Sequence, residues 1–377
     1  MFDVALDTIF VTLAGSHAQG TARGASDLDV RGVCIAPFRT RVSLFREFQQ
    51  SEGPLDDTLW TLLMPRLERH PTASLAITRK SEGVIFDLAK FLGLCAAANP
   101  NALEVLFADP EDWLFETPAW RRLHDARRRF LSRKVQQTYV GYAVAQLRKI
   151  KTHRSWLLDP PRRKPTREAF GLPSSSTLGR DDQNRIEQGI AAKIRSYGID
   201  DLEMPKPLRV AIQERLRAFW TDTLAAPDEE LDGRLRAVAT HAVQLPAETV
   251  AALNAERRYR SAMKHWEAYQ VWQAERNPMR AELERRHGYD TKHGMHLLRL
   301  MRTGLEILET GELRVRRNDA QELLAVRDGA LSFEALQAMA GELQRSMEAA
   351  AARTQLPADI DYKWIDDLAV ELIRGHR

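Results

Sequence analysis

Two runs rich in β-branched residues flank one small-residue turn near the N-terminus, and this pairing constrains the fold more than any other feature. The first is Thr8-Ile9-Phe10-Val11-Thr12-Leu13-Ala14; the second is Asp29-Val30-Arg31-Gly32-Val33-Cys34-Ile35-Ala36. Both are bounded by Gly and Pro and read as strands, with residues 74–78 a third candidate. From Phe86 onward strand signals nearly vanish. Residues 87–98, 118–156, 180–196, 205–224, 247–275 and 291–309 carry helical patterns. The expected fold class is therefore α+β, with a small N-terminal α/β domain over residues 1–115 and a larger, mostly α-helical domain over 116–377. A Pro-rich segment, 158–176, holds Pro160, Pro161, Pro165 and Pro173 and reads as a loop between helices.

The turn between the two strands carries the chemistry. Gly15 lets the backbone approach a phosphate closely, and the neighbouring N–H groups with the Ser16 hydroxyl can bind terminal phosphate oxygens. Asp27 and Asp29 are two residues apart on an extended strand, so both carboxylates project from one face. Hard divalent cations such as Mg²⁺ take oxygen ligands and complete their shells with water and substrate phosphates, which suits a site of few carboxylates. Two such ions, Mg²⁺ or Mn²⁺, would serve in-line transfer of a nucleotidyl group from a nucleoside triphosphate to a hydroxyl. A third carboxylate is missing from this stretch.

The pattern formed by Gly15, Ser16, Gly20, Thr21, Ser26, Asp27, Asp29, Arg31 and Gly32 resembles the RNA repair pathway DNA polymerase β family of predicted nucleotidyltransferases. Further blocks are similar: Lys90-Phe91, residues 99–106, 156–161 and 167–173, and a helical block over 288–313. The likeness extends over nearly the whole chain except residues 180–240. It implies a palm-like nucleotidyltransferase fold with a mixed sheet, a nucleoside triphosphate donor (ATP the expected one), Mg²⁺, and work on RNA ends during repair or in tRNA-related processing. It also implies a third carboxylate where a strand leads into the Lys90-Phe91 helix. Glu82 has the best spacing, in a position where most relatives carry Asp, and Asp87 is the rival.

Other residues have candidate roles around the triphosphate. His17 follows Ser16 in the turn, and Arg31 shares a strand face with Asp29. Lys292 and His293 open the helix of the 288–313 block and are placed as phosphate or base contacts. His293 and His296 share a helix face, but no carboxylate spacing supports zinc there.

Net charge is only +3, yet residues 121–169 hold fifteen Lys or Arg against three acids, an excess of twelve. Such a concentration is the electrostatic footprint expected of an RNA acceptor surface; the competing reading is a helix face with acidic partners elsewhere. Cys34 and Cys95 are the only cysteines, which excludes a disulfide scaffold or a Cys-rich zinc site. No apolar run approaches the roughly 20 residues of a membrane span, and the first ten residues carry two aspartates where a signal peptide would be basic. A cytoplasmic protein without membrane contact is expected. Two other functional classes fit the sequence. One is a nucleotide-binding or antitoxin-like module without turnover; the other is a nucleotidyltransferase acting on a protein or small molecule.

Overall fold

The computed structural model describes residues 2–24, 26–45, 47–76, 81–174, 178–226, 233–276 and 278–376. Two compact units divide the chain: Met1–Leu158 with Met279–Arg377, and Asp159–Pro278.

The first unit contains a five-stranded sheet in the order β3-β4-β2-β1-β5. Its strands are β1 (Thr8–Leu13), β2 (Leu28–Cys34), β3 (Gln50–Gly53), β4 (Ser81–Asp87) and β5 (Trp113–Glu116). β2 and β4 run parallel and the other neighbours antiparallel, giving the expected mixed sheet. Alternation along β2 decides which face is which. Leu28 and Val30 pack with Val11, Leu13 and Ile85 beneath Leu59, Leu63 and Leu67 of the helix Asp57–Leu67. Asp29 and Arg31 consequently face the other way. Gly32 lies where β1 and β4 crowd β2: a Cβ there would sit 2.6 Å from the Phe10 carbonyl oxygen and 2.7 Å from Ile85.

On the second face the sheet is joined by helices, of which five matter here: α1 (Gly15–Ala18), α2 (Leu88–Ala96), α3 (Pro100–Leu106), α4 (Lys134–Leu158) and α5 (Thr291–Thr310). Asn99 caps α3, its side chain accepting from the N–H groups of Asn101 and Ala102, with Pro100 in the first turn. α5 buries twelve of its residues, Met295, Leu298, Ile307 and Leu308 among them, in a core shared with Tyr139, Ala143 and Ile150 of α4.

The strand expected over residues 74–78 is a 3₁₀ helix at Ala73–Ala76, and residues 77 and 78 lie outside the described residues. His70 explains the turn: its Nδ1 accepts the Ala73 N–H at 3.1 Å and the Thr72 N–H at 3.3 Å, which curls the backbone. The helix expected over 118–156 is broken into Pro118–Asp125, a 3₁₀ turn at Arg127–Phe130, and α4. The break is held from outside, where the Arg133 N–H donates to the Pro357 carbonyl at 2.9 Å.

The second unit is helical, with Arg180–Arg195, Lys206–Ala225, Gly233–Ala242 and Ala247–Ala274. Ile190, Ile194, Trp220 and Leu224 centre its small core. In its Pro-rich segment, Arg167 is buried and donates from Nε to the Pro173 carbonyl at 2.8 Å while pairing with Glu256, also at 2.8 Å. No helix among the described residues is long and apolar enough to cross a membrane.

Candidate active site

β1 ends on Leu13, and the Ala14 N–H donates to the Asp29 carbonyl at 2.9 Å, drawing the turn across the start of β2. Gly15 then adopts φ +58°, a conformation that L side chains rarely take. A Cβ at this position would collide with the Asp29 carboxylate. The sequence needs glycine here for both reasons, and the result is a backbone pressed against a carboxylate. Ala14 provides no side-chain cap for the short α1 turn.

Asp29 and Glu82 are directly opposite on the parallel strands β2 and β4, so their side chains leave the same face of the sheet. Burial raises the Asp29 pKa above its ordinary value; Arg31 and Lys292 pull it down, and the charges of Asp27 and Glu82 push it up. Those four groups are therefore its electrostatic neighbours. Asp87 occupies the other end of β4, opposite Cys34. It caps α2, accepting from the Ala89 N–H at 2.9 Å, and it holds the Ala36 N–H at 3.1 Å and Arg41 at 2.5 Å.

Gly15, Asp29 and Arg31 line a cavity of about 480 Å³. The opposing wall comes from helices: Asn101 and Glu104 of α3, Tyr142 and Gln146 of α4, His296 and Arg299 of α5. Glu104 ties this wall to the turn. It pairs with Arg299 and accepts from Gln19 Nε2 at 3.0 Å, while the Gln19 carbonyl accepts the Arg317 N–H at 3.1 Å. Sequence reasoning attached no role to Glu52, Tyr142 or Gln146, which also line the cavity. Tyr142 and Gln146 are one helical turn apart, and that spacing was the available signal.

Neither His17 nor His293 lines this cavity, and the same holds for Ser16, Asp27, Glu82 and Lys292. His17 is buried, with Nδ1 3.4 Å from the Thr72 hydroxyl. His293 has Nδ1 2.6 Å from Asp290 Oδ2, and its N–H is capped by Asp290 Oδ1 at 3.0 Å.

His296 has its pKa pushed down to about 3 by burial, with Arg299 and Lys292 adding repulsion. It contributes a neutral imidazole to the wall. An unfolded histidine titrates near 6.5, so below that value the unfolded chain takes up a proton that the folded chain refuses. Folding stability therefore falls as pH drops from about 6.5 towards 3. Thermal unfolding of His296→Gln should show a flatter acid limb, with wild type losing about 1.5 kcal/mol more between pH 6.5 and 5. Parallel curves for the two proteins would refute the assignment.

The basic segment is partly neutralised within the fold. Seven of its fifteen cations are paired: Arg121 with Glu116, Arg122 with Glu371, Arg128 with Glu312, Arg129 with Asp361, Lys134 with Asp359, Arg154 with Glu334 and Arg167 with Glu256. Arg129 also lies over the Trp364 ring at 3.7 Å. Arg148, Lys149 and Lys151 of α4 are exposed.

The mixed sheet sets Asp29 and Glu82 on adjacent strands, beside the glycine turn. Residues 3–157, which include the whole sheet and the turn, match the RNA repair pathway DNA polymerase beta family. For this part of the chain the match points to a polymerase β-type nucleotidyltransferase. The similar blocks at 167–173 and 288–313 lie beyond the matched range. No curated protein and no solved structure matches the chain.

Proposed function

We propose that this protein transfers a nucleoside monophosphate, AMP the expected one, from its triphosphate to a hydroxyl at an RNA end. The observation that carries the reading is the alignment of Asp29 with Glu82 on parallel strands, beside the Gly15 backbone. Asp27, Asp29 and Glu82 would hold divalent cations, Mg²⁺ or Mn²⁺. The donor set fits: it is all oxygen, and Asp29 is desolvated and crowded by like charges, which a cation relieves. When bound, such ions supply charge neutralisation on the triphosphate and activation of the acceptor hydroxyl.

The chain's own residues do the positioning. Backbone N–H groups at Gly15 and Ser16, with the Ser16 hydroxyl, hold terminal phosphate oxygens. Arg31 and Lys292, both near Asp29, balance phosphate charge. His17 supports the turn through Thr72 rather than touching the triphosphate. The cavity of about 480 Å³ is the right size for a nucleoside, and Asn101, Tyr142 and Gln146 offer it hydrogen-bonding groups. With part of the basic segment paired internally, Arg148, Lys149 and Lys151 are the residues we assign to the RNA acceptor.

The test incubates the protein with each labelled nucleoside triphosphate, Mg²⁺ or Mn²⁺, and pooled tRNA and other RNA ends. Label should enter RNA as a single shifted band and vanish in Asp27→Ala. Incorporation unchanged in both Asp27→Ala and Asp29→Ala would refute the site; label entering only protein or small molecules would refute the acceptor.

A further inference from the structure

A second cluster of ligating groups lies between α4 and the start of α5, separate from the carboxylates of the sheet. His153 is near the end of α4, Asp290 is the N-cap of α5, and His293 is in its first turn. One ligand atom from each lies within 4.8 Å of the others. We propose that these three residues form a transition-metal centre, a two-histidine, one-carboxylate site for Zn²⁺ or a similar ion.

Geometry comes first. Asp290 Oδ2 is 2.6 Å from His293 Nδ1 and 3.9 Å from His153 Nδ1. Ligands bound at about 2.0–2.1 Å around a tetrahedral ion lie about 3.3 Å apart. The two observed spacings bracket that value and the third pair of ligand atoms is within 4.8 Å, so an ion fits once the side chains adjust. The three side chains are 5–15% exposed, which shields the site yet leaves room for a fourth, exchangeable ligand.

The ligands are also held in place. The His153 ring stacks on Trp156 at 5.4 Å and meets His293 edge-on at 5.8 Å. The segment carrying Asp290 is fixed on both sides: Arg154 donates to the Gly288 carbonyl at 2.6 Å, Tyr289 to Leu331 at 3.0 Å, and Thr291 to Arg327 at 2.7 Å. Outer contacts of this kind orient ligands in known metal sites. Arg154 is committed to that carbonyl and lies over the Phe333 ring, and Lys292 acts on Asp29. Arg154 and Lys292, the cations next to His153 and His293 in the sequence, thus have other partners.

Ligand chemistry separates the two centres. Imidazoles with one carboxylate suit Zn²⁺ or Fe²⁺, whereas an all-carboxylate set suits Mg²⁺. The simpler account, an Asp cap hydrogen-bonded to a His in the next turn, explains Asp290 and His293 but not why His153 is brought to the same oxygen. The inference stands independently of the nucleotidyl-transfer reading.

The experiment titrates chelator-stripped protein with ZnCl₂ against a chromogenic competitor in excess Mg²⁺, and repeats the titration with CoCl₂ to detect tetrahedral absorption. One equivalent of Zn²⁺ should bind and raise the melting temperature by linkage. Affinity should fall at least about tenfold in His153→Gln and in His293→Gln, as loss of a metal ligand or its support requires. It should persist in Asp29→Asn. Circular dichroism controls for folding, and His153→Gln, which leaves the Asp290 cap intact, guards against a merely unfolded variant. No binding in wild type, binding as tight as wild type in both His variants, or loss in Asp29→Asn instead would each overturn the proposal.

Discussion

Asp29→Asn is expected to lose nucleotidyl transfer by about 10³-fold or more while folding at least as stably as wild type. The first half follows from the role proposed for this carboxylate. A cation site is worth several kcal/mol of charge stabilisation, and each 1.4 kcal/mol or so is tenfold in rate. The second half follows from its setting. Burial, with Asp27 and Glu82 close by, raises the Asp29 pKa despite Arg31 and Lys292. A carboxylate with a raised folded pKa favours folding below its unfolded value and loses that advantage as pH rises through the folded one. At neutral pH the ionised side chain therefore burdens the fold, and asparagine removes the burden with almost no change of shape. Melting temperatures across pH 4 to 8, alongside labelled incorporation, check both halves. The variant should gain on wild type as pH rises. Full activity, or a melting temperature several degrees lower at pH 7, would show that Asp29 is a structural residue.

This separation of fold from chemistry also explains what the sequence makes legible. The face of Asp29 could be read because strand periodicity is local, and Leu28 and Val30 point the other way, whereas Asp27 precedes β2, which begins at Leu28. The helix at Thr291–Thr310 was equally local, its apolar positions spaced for burial. β4 was not, since Ser81-Glu82-Gly83-Val84 shows no alternation, and only pairing with β2 makes it a strand beside Asp29. β3 and β5 are edge strands of four residues each, defined by hydrogen bonds more than by composition. The cavity wall is less legible still, because Glu104 and Arg299 are 195 residues apart in the chain. Charge pairing within the basic segment is hidden for the same reason. Glu371, 249 residues from Arg122, pairs with that arginine from the far end of the sequence, and local charge counting cannot register that partner.

Asp112→Ala should have the opposite signature to Asp29→Asn, losing about 1–3 kcal/mol of stability as leaving buried groups without their hydrogen-bond partner does. Asp112 is fully buried, and burial pushes its pKa up against the pull of Arg316 and His70. Its Oδ1 accepts from Arg316 at 2.8 Å and lies 3.1 Å from His70 Nε2, while its carbonyl accepts from the Thr12 hydroxyl at 3.1 Å. Removing the carboxylate leaves the buried His70 imidazole and the partly exposed Arg316 guanidinium without their shared acceptor, and the cost of that lost partner is what the variant exposes. The damage should spread to the phosphate turn. His70 holds the Thr72 backbone, Thr72 contacts His17, and Arg317, next to Arg316, binds the Gln19 carbonyl. Asp112→Ala should therefore weaken triphosphate binding as well as the fold, raising KM before kcat falls. Asp112→Asn keeps an acceptor for His70 and should recover more than half of the lost stability. Denaturant unfolding of the three proteins, with KM for the nucleoside triphosphate measured well below each melting point, distinguishes this chain of contacts from a merely local defect. A destabilised Asp112→Ala with an unchanged KM would sever the link between the buried node and the turn.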